Sequence, residues 1–489
     1  MSAPGGLARK SVGTPSLWFF AVGASSPMTV IAGGVIATYA TTGVIGVPLS
    51  FILLAAVLAL LTVGYVAMSR HVAHAATFYA LLAHGLGRGA GVAGAAVALI
   101  AYNAIQISLY GLVGVTLAGE LGGEWWRWAA VVWVVVTTVG LLRVTINARV
   151  LALALIAEIG IITLLDLGSL THAASGISLD PLRPDQLFVN GVGGVLALGM
   201  AAFVGFESGP VFAEEARGPR TVPKATFAAL AFIGLFYAFS SWALAMAVGP
   251  ANVVDATRDP AAGLPFSVLE SSFGPAYGPM LSQFATVLLV TSIFAAMLSF
   301  HNGVARYVFA LGRERVLPPA LARTGSGARG GAPIGGSLFQ SITAAVVVAA
   351  YAIIGADPFT GLFTWLSTIG AVGVLALLVS ASVAALRYFR SGGGTNEGPW
   401  VRVIAPTLGV GVGMVILVTT VSNVESLLGL PPGSPRAWII PGIIGLAAIG
   451  GLAWAAMLRA SRPEVYAGIG RGRPHPLAVL DQRLAEVEV

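Results

Sequence analysis

The stretch FVGFESGPVFAEE, Phe203 to Glu215, lies in an apolar run of membrane-spanning length, yet it gathers Gly205, Glu207, Ser208, Gly209 and Pro210 in one place. Lipid offers no hydrogen bonds, so unwound backbone at that depth survives only where it is packed in protein or lines a wet cavity. The two glycines tolerate such backbone and the proline removes a helix donor. The segment therefore reads as the lining of a site. A second interrupted run, GASSPMTVIAGG from Gly23 to Gly34, has Pro27 near its centre with Ser25, Ser26 and Thr29 beside it. Either break alone could be a kink without function. Two of them, five spans apart at matching positions, point to the inverted-repeat design of secondary transporters.

The rest of the chain fits this frame. Of its 489 residues 57% are hydrophobic and 9% charged, with a mean hydropathy of +0.88, which excludes a soluble globular protein. Twelve apolar runs are long enough to span: 17–40, 44–68, 90–118, 128–142, 150–170, 191–213, 225–249, 278–311, 335–355, 361–386, 400–421 and 437–458. The expected fold is all-α, with spans 1 to 5 (17–170) mirrored by spans 6 to 10 (191–386) and followed by two additional helices (400–458). The first run lacks a cleavage site and reads as a retained span. Only Arg127, Arg183, Arg258 and Arg436 of the 26 Lys and Arg residues fall on one side, which predicts cytoplasmic ends at 1–16 and 459–489, the latter a flexible tail. The same rule accounts for the net charge of +6 without nucleic acid as a partner.

Cysteine is absent, and neither a phosphate-binding loop nor a catalytic constellation occurs. No enzyme activity, cofactor or metal is expected. Energy must come from ion gradients or exchange.

GFESGPVFAEEARGPRTVPKA, Gly205 to Ala225, resembles the sixth-span signature of the amino acid, polyamine and organocation permease superfamily. SFHNGVARYVFALGRERVLP, Ser299 to Pro318, is similar to that family's end of span 8, with Asn302, Arg306 and Arg313 in the expected places. Span 1 departs from the family's common Gly-rich form, carrying Ser25-Ser26-Pro27-Met28-Thr29 instead. The resemblance implies a leucine-transporter-like fold with substrate held between the breaks of spans 1 and 6. Half-helix N-termini suit a carboxylate and freed carbonyls an ammonium. The carboxylate is expected near Ser26 to Gly34, including Met28, Thr29 and Gly33, and the ammonium near Ala24, Phe203, Val204 and Gly205. Phe203 and Phe206 are gate or pocket candidates, with core packing as the alternative.

Glu207 either attracts a cationic substrate or pins the unwound segment. Glu158 lies mid-span, where an ionised carboxylate costs roughly 2.5–3.5 kcal/mol on insertion scales. It occupies the position where some members of the resembling family carry a Lys that stands in for a coupling cation, and it is expected to carry the coupled proton. Tyr102, Asn103, Gln106 and Tyr110 share one stripe of span 3 and either face the pathway or join helices. Thr291 and Ser292 are weak candidates for a sodium site. Glu214, Glu215, Arg217, Arg220 and Lys224 would form an inner charge network with Arg306 or Arg313, acting as a gate. His301 reads as structural, and His71, His74 and His84 as a solvated loop. The expectation is a proton-coupled importer of amino acids in the bacterial inner membrane, with amine import, exchange, and a channel or sensor as the alternatives.

Overall fold

The computed structural model describes residues 12–142, 144–213, 215–258, 263–325, 331–431 and 433–472, without the side chains of 144–151 and 426. Glu214 of the expected inner charge network lies outside the described residues, as do most of the expected N-terminal segment and the tail beyond 472.

Apolar sequence of bilayer length folds into helices because only a helix satisfies its own backbone in lipid. Among the described residues, eleven helices are long and apolar enough to cross a membrane: Thr14–Thr42 (span 1), Val47–His71 (span 2), Arg88–Leu121 (span 3), Ala152–Thr171 (span 5, whose helix begins at Val144), Val192–Phe212 (span 6), Thr221–Val248 (span 7), Gly274–Arg313 (span 8), Ile334–Ile353 (span 9), Pro358–Arg390 (span 10), Trp400–Ser422 (span 11) and Pro435–Ser461 (span 12). The expected fourth run is the 16-residue helix Trp125–Gly140 (span 4). No strand occurs among the described residues; an isolated bridge pairs Val12 with Ala216.

Small residues let these helices approach closely. A Cβ on Gly85 would collide with Ala384 of span 10, and one on Gly234 of span 7 would collide with Ala55 of span 2. Spans 1 and 6 are both broken. Span 1 stops at Ser25, turns at Ser26 in the left-handed region (φ 55°, ψ 74°) and resumes at Pro27. Span 6 stops at Phe203, unwinds through Val204 and Gly205 (φ 116°) and continues as a tighter 3-10 helix over Phe206–Phe212. The breaks touch: the Ser25 hydroxyl donates to the Ala202 carbonyl at 2.7 Å, and a Cβ on Gly205 would stand 2.5 Å from that of Ala24.

Two regions differ from the sequence expectation. The loop after span 2 is only partly solvated: His71 and His84 are exposed, as expected, but the rest is packed. Its residues Thr77–Leu86 form a buried helix, and His74 is 1% exposed. The segment behind span 12 is not free either, because Pro463–Gly468 is helical and Val465 and Ile469 are buried in the main core. One carboxylate joins these regions. Glu314, at the end of span 8, accepts from His74 Nε2 (2.9 Å), from the Tyr79 hydroxyl (2.5 Å), from the Gly470 amide (2.8 Å) and from the Gly472 amide. The Ala76 amide donates to His74 Nδ1 at 2.9 Å. Burial raises the Glu314 pKa, but the hydrogen bonds and charge of its partners outweigh it and hold the carboxyl below its ordinary value.

Candidate functional site

A cavity of about 230 Å³ lies between the two breaks. Span 1 supplies Ala24, Ser25, Ser26, Thr29 and Gly34, and span 6 supplies Leu198, Ala202 and Val204. Ile105, Ser108 and Leu109 of span 3 and Ala296 and Phe300 of span 8 complete the inner wall. Span 10 contributes a stripe at helical spacing: Phe359, Thr360, Phe363, Thr364 and Ser367. The lining carries hydroxyls and apolar groups and no ionisable side chain.

The cavity reaches exposed Thr360 and Gly429, near the end of span 1 at Thr41, so it opens on the side away from Arg70, Arg306 and Arg313. Asp357 shapes this mouth by capping the start of span 10, accepting from the amides of Phe359 (3.0 Å) and Thr360 (2.6 Å). Partial burial raises its pKa, and those hydrogen bonds more than reverse the effect. On the other side the cavity is sealed. Phe203, Phe206 and Phe212 are buried, and below them Arg306 Nε donates to Glu215 at 2.9 Å, with both side chains at most 3% exposed. The guanidinium also stands 5.0 Å from the centre of the Phe212 ring. Val12 pairs with Glu215 and Arg217 through backbone hydrogen bonds of 3.1 and 3.0 Å, tying the start of span 1 to the exit of span 6.

Glu207 lies beneath the cavity and outside its lining. Its carboxylate accepts from the Gly205 amide and from the Tyr102 hydroxyl, both at 2.9 Å, while its own carbonyl accepts from Tyr65. These bonds hold the unwound turn of span 6 in place. Phe203, Gly205, Phe206, Met28 and Gly33 also lie outside the lining.

The polar stripe of span 3 is used between helices. Gln340 of span 9 donates to Gln106 at 2.8 Å, Gln106 reaches Tyr110 at 3.4 Å, and Asn103 donates to the Leu99 carbonyl of its own helix. The face of span 3 that meets the cavity carries Ile105, Ser108 and Leu109, which the sequence reading did not single out. The span 10 stripe was missed as well, although its spacing is visible in FTGLFTWLS, Phe359 to Ser367.

Glu158, 1% exposed, adjoins the break of span 1 from behind. Its Oε2 accepts from the Ser292 hydroxyl at 2.6 Å and from the Met28 amide at 3.4 Å. Ser292 stands 2.7 Å from Ser26, and Ser26 2.6 Å from Thr29. A line of hydroxyls thus joins a buried carboxyl to two residues of the cavity wall. The two oxygens suggested for sodium do not converge, because Thr291 turns back to the Leu288 carbonyl of its own helix. No cluster of metal-ligating side chains occurs among the described residues, and His301 is buried with Nε2 unpartnered against Gly140.

Two helices broken at mid-membrane, touching at their breaks around a cavity open to one side, are the arrangement of a carrier. A family model described as amino acid permease matches residues 12–449. The chain belongs to the amino acid permease family. This places it in the amino acid, polyamine and organocation superfamily, as an integral multi-pass membrane transporter of amino acids or related organocations. No individual curated protein matches the permease. Membership of a transporter family also points away from enzyme activity for the hydroxyl-rich cavity.

Proposed function

We propose that this permease imports neutral amino acids with apolar side chains, driven by protons, by alternating access around the breaks of spans 1 and 6. The observation that carries the reading is the cavity wall: hydroxyls from the span 1 break and the span 10 stripe, apolar groups from Ile105, Leu109, Phe300 and Phe363, and no ionisable side chain. An amine or polyamine would find no carboxylate there, because Glu207 is engaged below. The zwitterionic head group is placed at the breaks, with its carboxylate toward the start of the second half of span 1 and its ammonium toward the freed carbonyls near Ala24 and Val204.

Coupling is assigned to Glu158, one hydroxyl away from Ser26. One proton moving down a membrane potential of 100 mV supplies about 2.3 kcal/mol, or roughly 50-fold accumulation of a neutral substrate at equal pH. Spans 1 to 5 and 6 to 10 act as inverted repeats of a leucine-transporter-like fold, with spans 11 and 12 added. The arginine-rich side faces the cytoplasm of a bacterial cell, so the described state is open to the outside and closed by Glu215 and Arg306.

The test is uptake into proteoliposomes of labelled neutral, acidic and basic amino acids and polyamines, under proton or sodium gradients or with unlabelled substrate inside. Accumulation of neutral apolar amino acids when the outside is acid is expected. Dependence on sodium, strict exchange or preference for a polyamine would each overturn part of the reading.

A further inference from the structure

Span 5 carries a second buried carboxyl that the path through Glu158 leaves unused. Asp166 lies eight residues beyond Glu158, about 12 Å nearer the cavity mouth along the helix axis. It is 3% exposed. Its Oδ2 accepts from Ser240 of span 7 at 2.8 Å, and its Oδ1 has no partner. Ser169, one turn further along the same face and fully buried, has an unpartnered hydroxyl as well. A structural carboxylate at this depth would be paired on both oxygens or matched by a cation.

Among the described residues, no cation faces Asp166 from the elements packed on this helix. In span 7, Lys224 lies at the opposite end, as do Arg306 and Arg313 in span 8. His301 packs on Gly140 of span 4, and Tyr307 bonds the Tyr79 amide. Glu270, in the short helix before span 8, and Tyr277 are exposed. This leaves Tyr237 of span 7, one turn before Ser240 and wholly buried like it.

Span 7 connects Asp166 with the cavity through Tyr237, which lies one turn from Ser240. The Tyr237 hydroxyl stands 2.6 Å from that of Ser25. Ser26 leads through the Ser292 hydroxyl to Glu158, and the turn of span 7 that bonds Ser25 through Tyr237 bonds Asp166 through Ser240, three residues on. We propose that Asp166 is a second proton-binding site of the transport cycle, so that two protons enter with each substrate molecule. Each is held on a span 5 carboxyl, Glu158 linked to the break through Ser292 and Asp166 through the turn of span 7 that carries Ser240 and Tyr237. This rests on the proton-coupled reading above.

The experiment measures the equilibrium accumulation ratio of a neutral amino acid in proteoliposomes against imposed pH gradients, at zero membrane potential. Each coupled proton contributes a factor of about 10 per pH unit. The wild type should accumulate about 100-fold per unit, and Asp166→Asn about 10-fold, with counterflow of labelled against unlabelled substrate retained in both. A wild type at about 10-fold per unit, or an Asp166→Asn protein equal to the wild type, overturns the second site and leaves proton coupling standing. A wild type without any pH dependence overturns proton coupling and the second site with it. If Asp166→Asn does not fold, Asp166→Glu decides: unchanged stoichiometry with a displaced pH midpoint is expected, and an unmoved midpoint counts against the site.

Discussion

The Glu158 carboxylate is 2.6 Å from the Ser292 hydroxyl, which is itself 2.7 Å from the Ser26 hydroxyl at the break of span 1. A change at the break is therefore felt by the carboxyl through a single intervening side chain. Glu158→Gln keeps the size and a hydrogen-bonding oxygen but cannot release a proton. It should exchange labelled for unlabelled substrate at near wild-type rates and lose accumulation driven by acid outside. Intact pH-driven accumulation in this variant would reject the role.

The ion pair of Glu215 and Arg306 closes the side opposite the mouth. Removing one member of a buried pair costs about 3–5 kcal/mol because the other charge is left stranded. Arg306→Met should accordingly shift the protein toward states open on that side. The chain contains no cysteine, so a single one placed at Ala202 in the cavity wall is a clean reporter. A membrane-impermeant thiol reagent applied from the arginine-rich side should label it faster in the Arg306→Met background. Equal labelling rates would remove the pair from the gate.

Gly205 has φ 116°, and a Cβ there would meet Ala24 at 2.5 Å. Gly205→Ala combines backbone strain of about 1–3 kcal/mol with a forced separation of the two breaks. Transport should be lost together with a lower unfolding temperature in detergent. The nearby Gly33 has open space at its Cβ, so Gly33→Ala serves as the control and should fold normally.

The Glu314 carboxyl has its pKa held below the ordinary 4.5 in the folded protein. A depressed carboxyl contributes stability that is present above its unfolded value and is lost as pH falls through the folded one. The segment behind span 12 should therefore stay docked at neutral pH and loosen only below about pH 4.5. Hydrogen exchange at Gly470 and Gly472 measures this directly. Their amides should be protected at neutral pH and lose protection in acid, whereas Glu314→Gln should expose them at every pH.

Much of the architecture could be read locally. Gly205, Pro210 and Pro27 interrupt apolar runs, and Glu158 is conspicuous within ALALIAEIGIITLL because charge is rare in a span. The cavity wall was harder to find, since Ile105 and Leu109 look like every other apolar residue of a span. Polar side chains at mid-span drew attention instead, yet Gln106 and Asn103 bond within and between helices, where lipid would leave them unsatisfied. His74 could not be placed from its neighbours because its partner is 240 residues away.

That same separation orders events during synthesis. Glu314 is made 156 residues before Gly470, whose amide is among the donors that hold it. Until the segment behind span 12 leaves the ribosome, the inner end of span 8 carries a carboxylate lacking two of its partners. All the helices that build the cavity can therefore be in the bilayer while this end is still unlatched. That end of span 8 gains these two partners only late in translation, when the turn carrying Gly470 and Gly472 arrives.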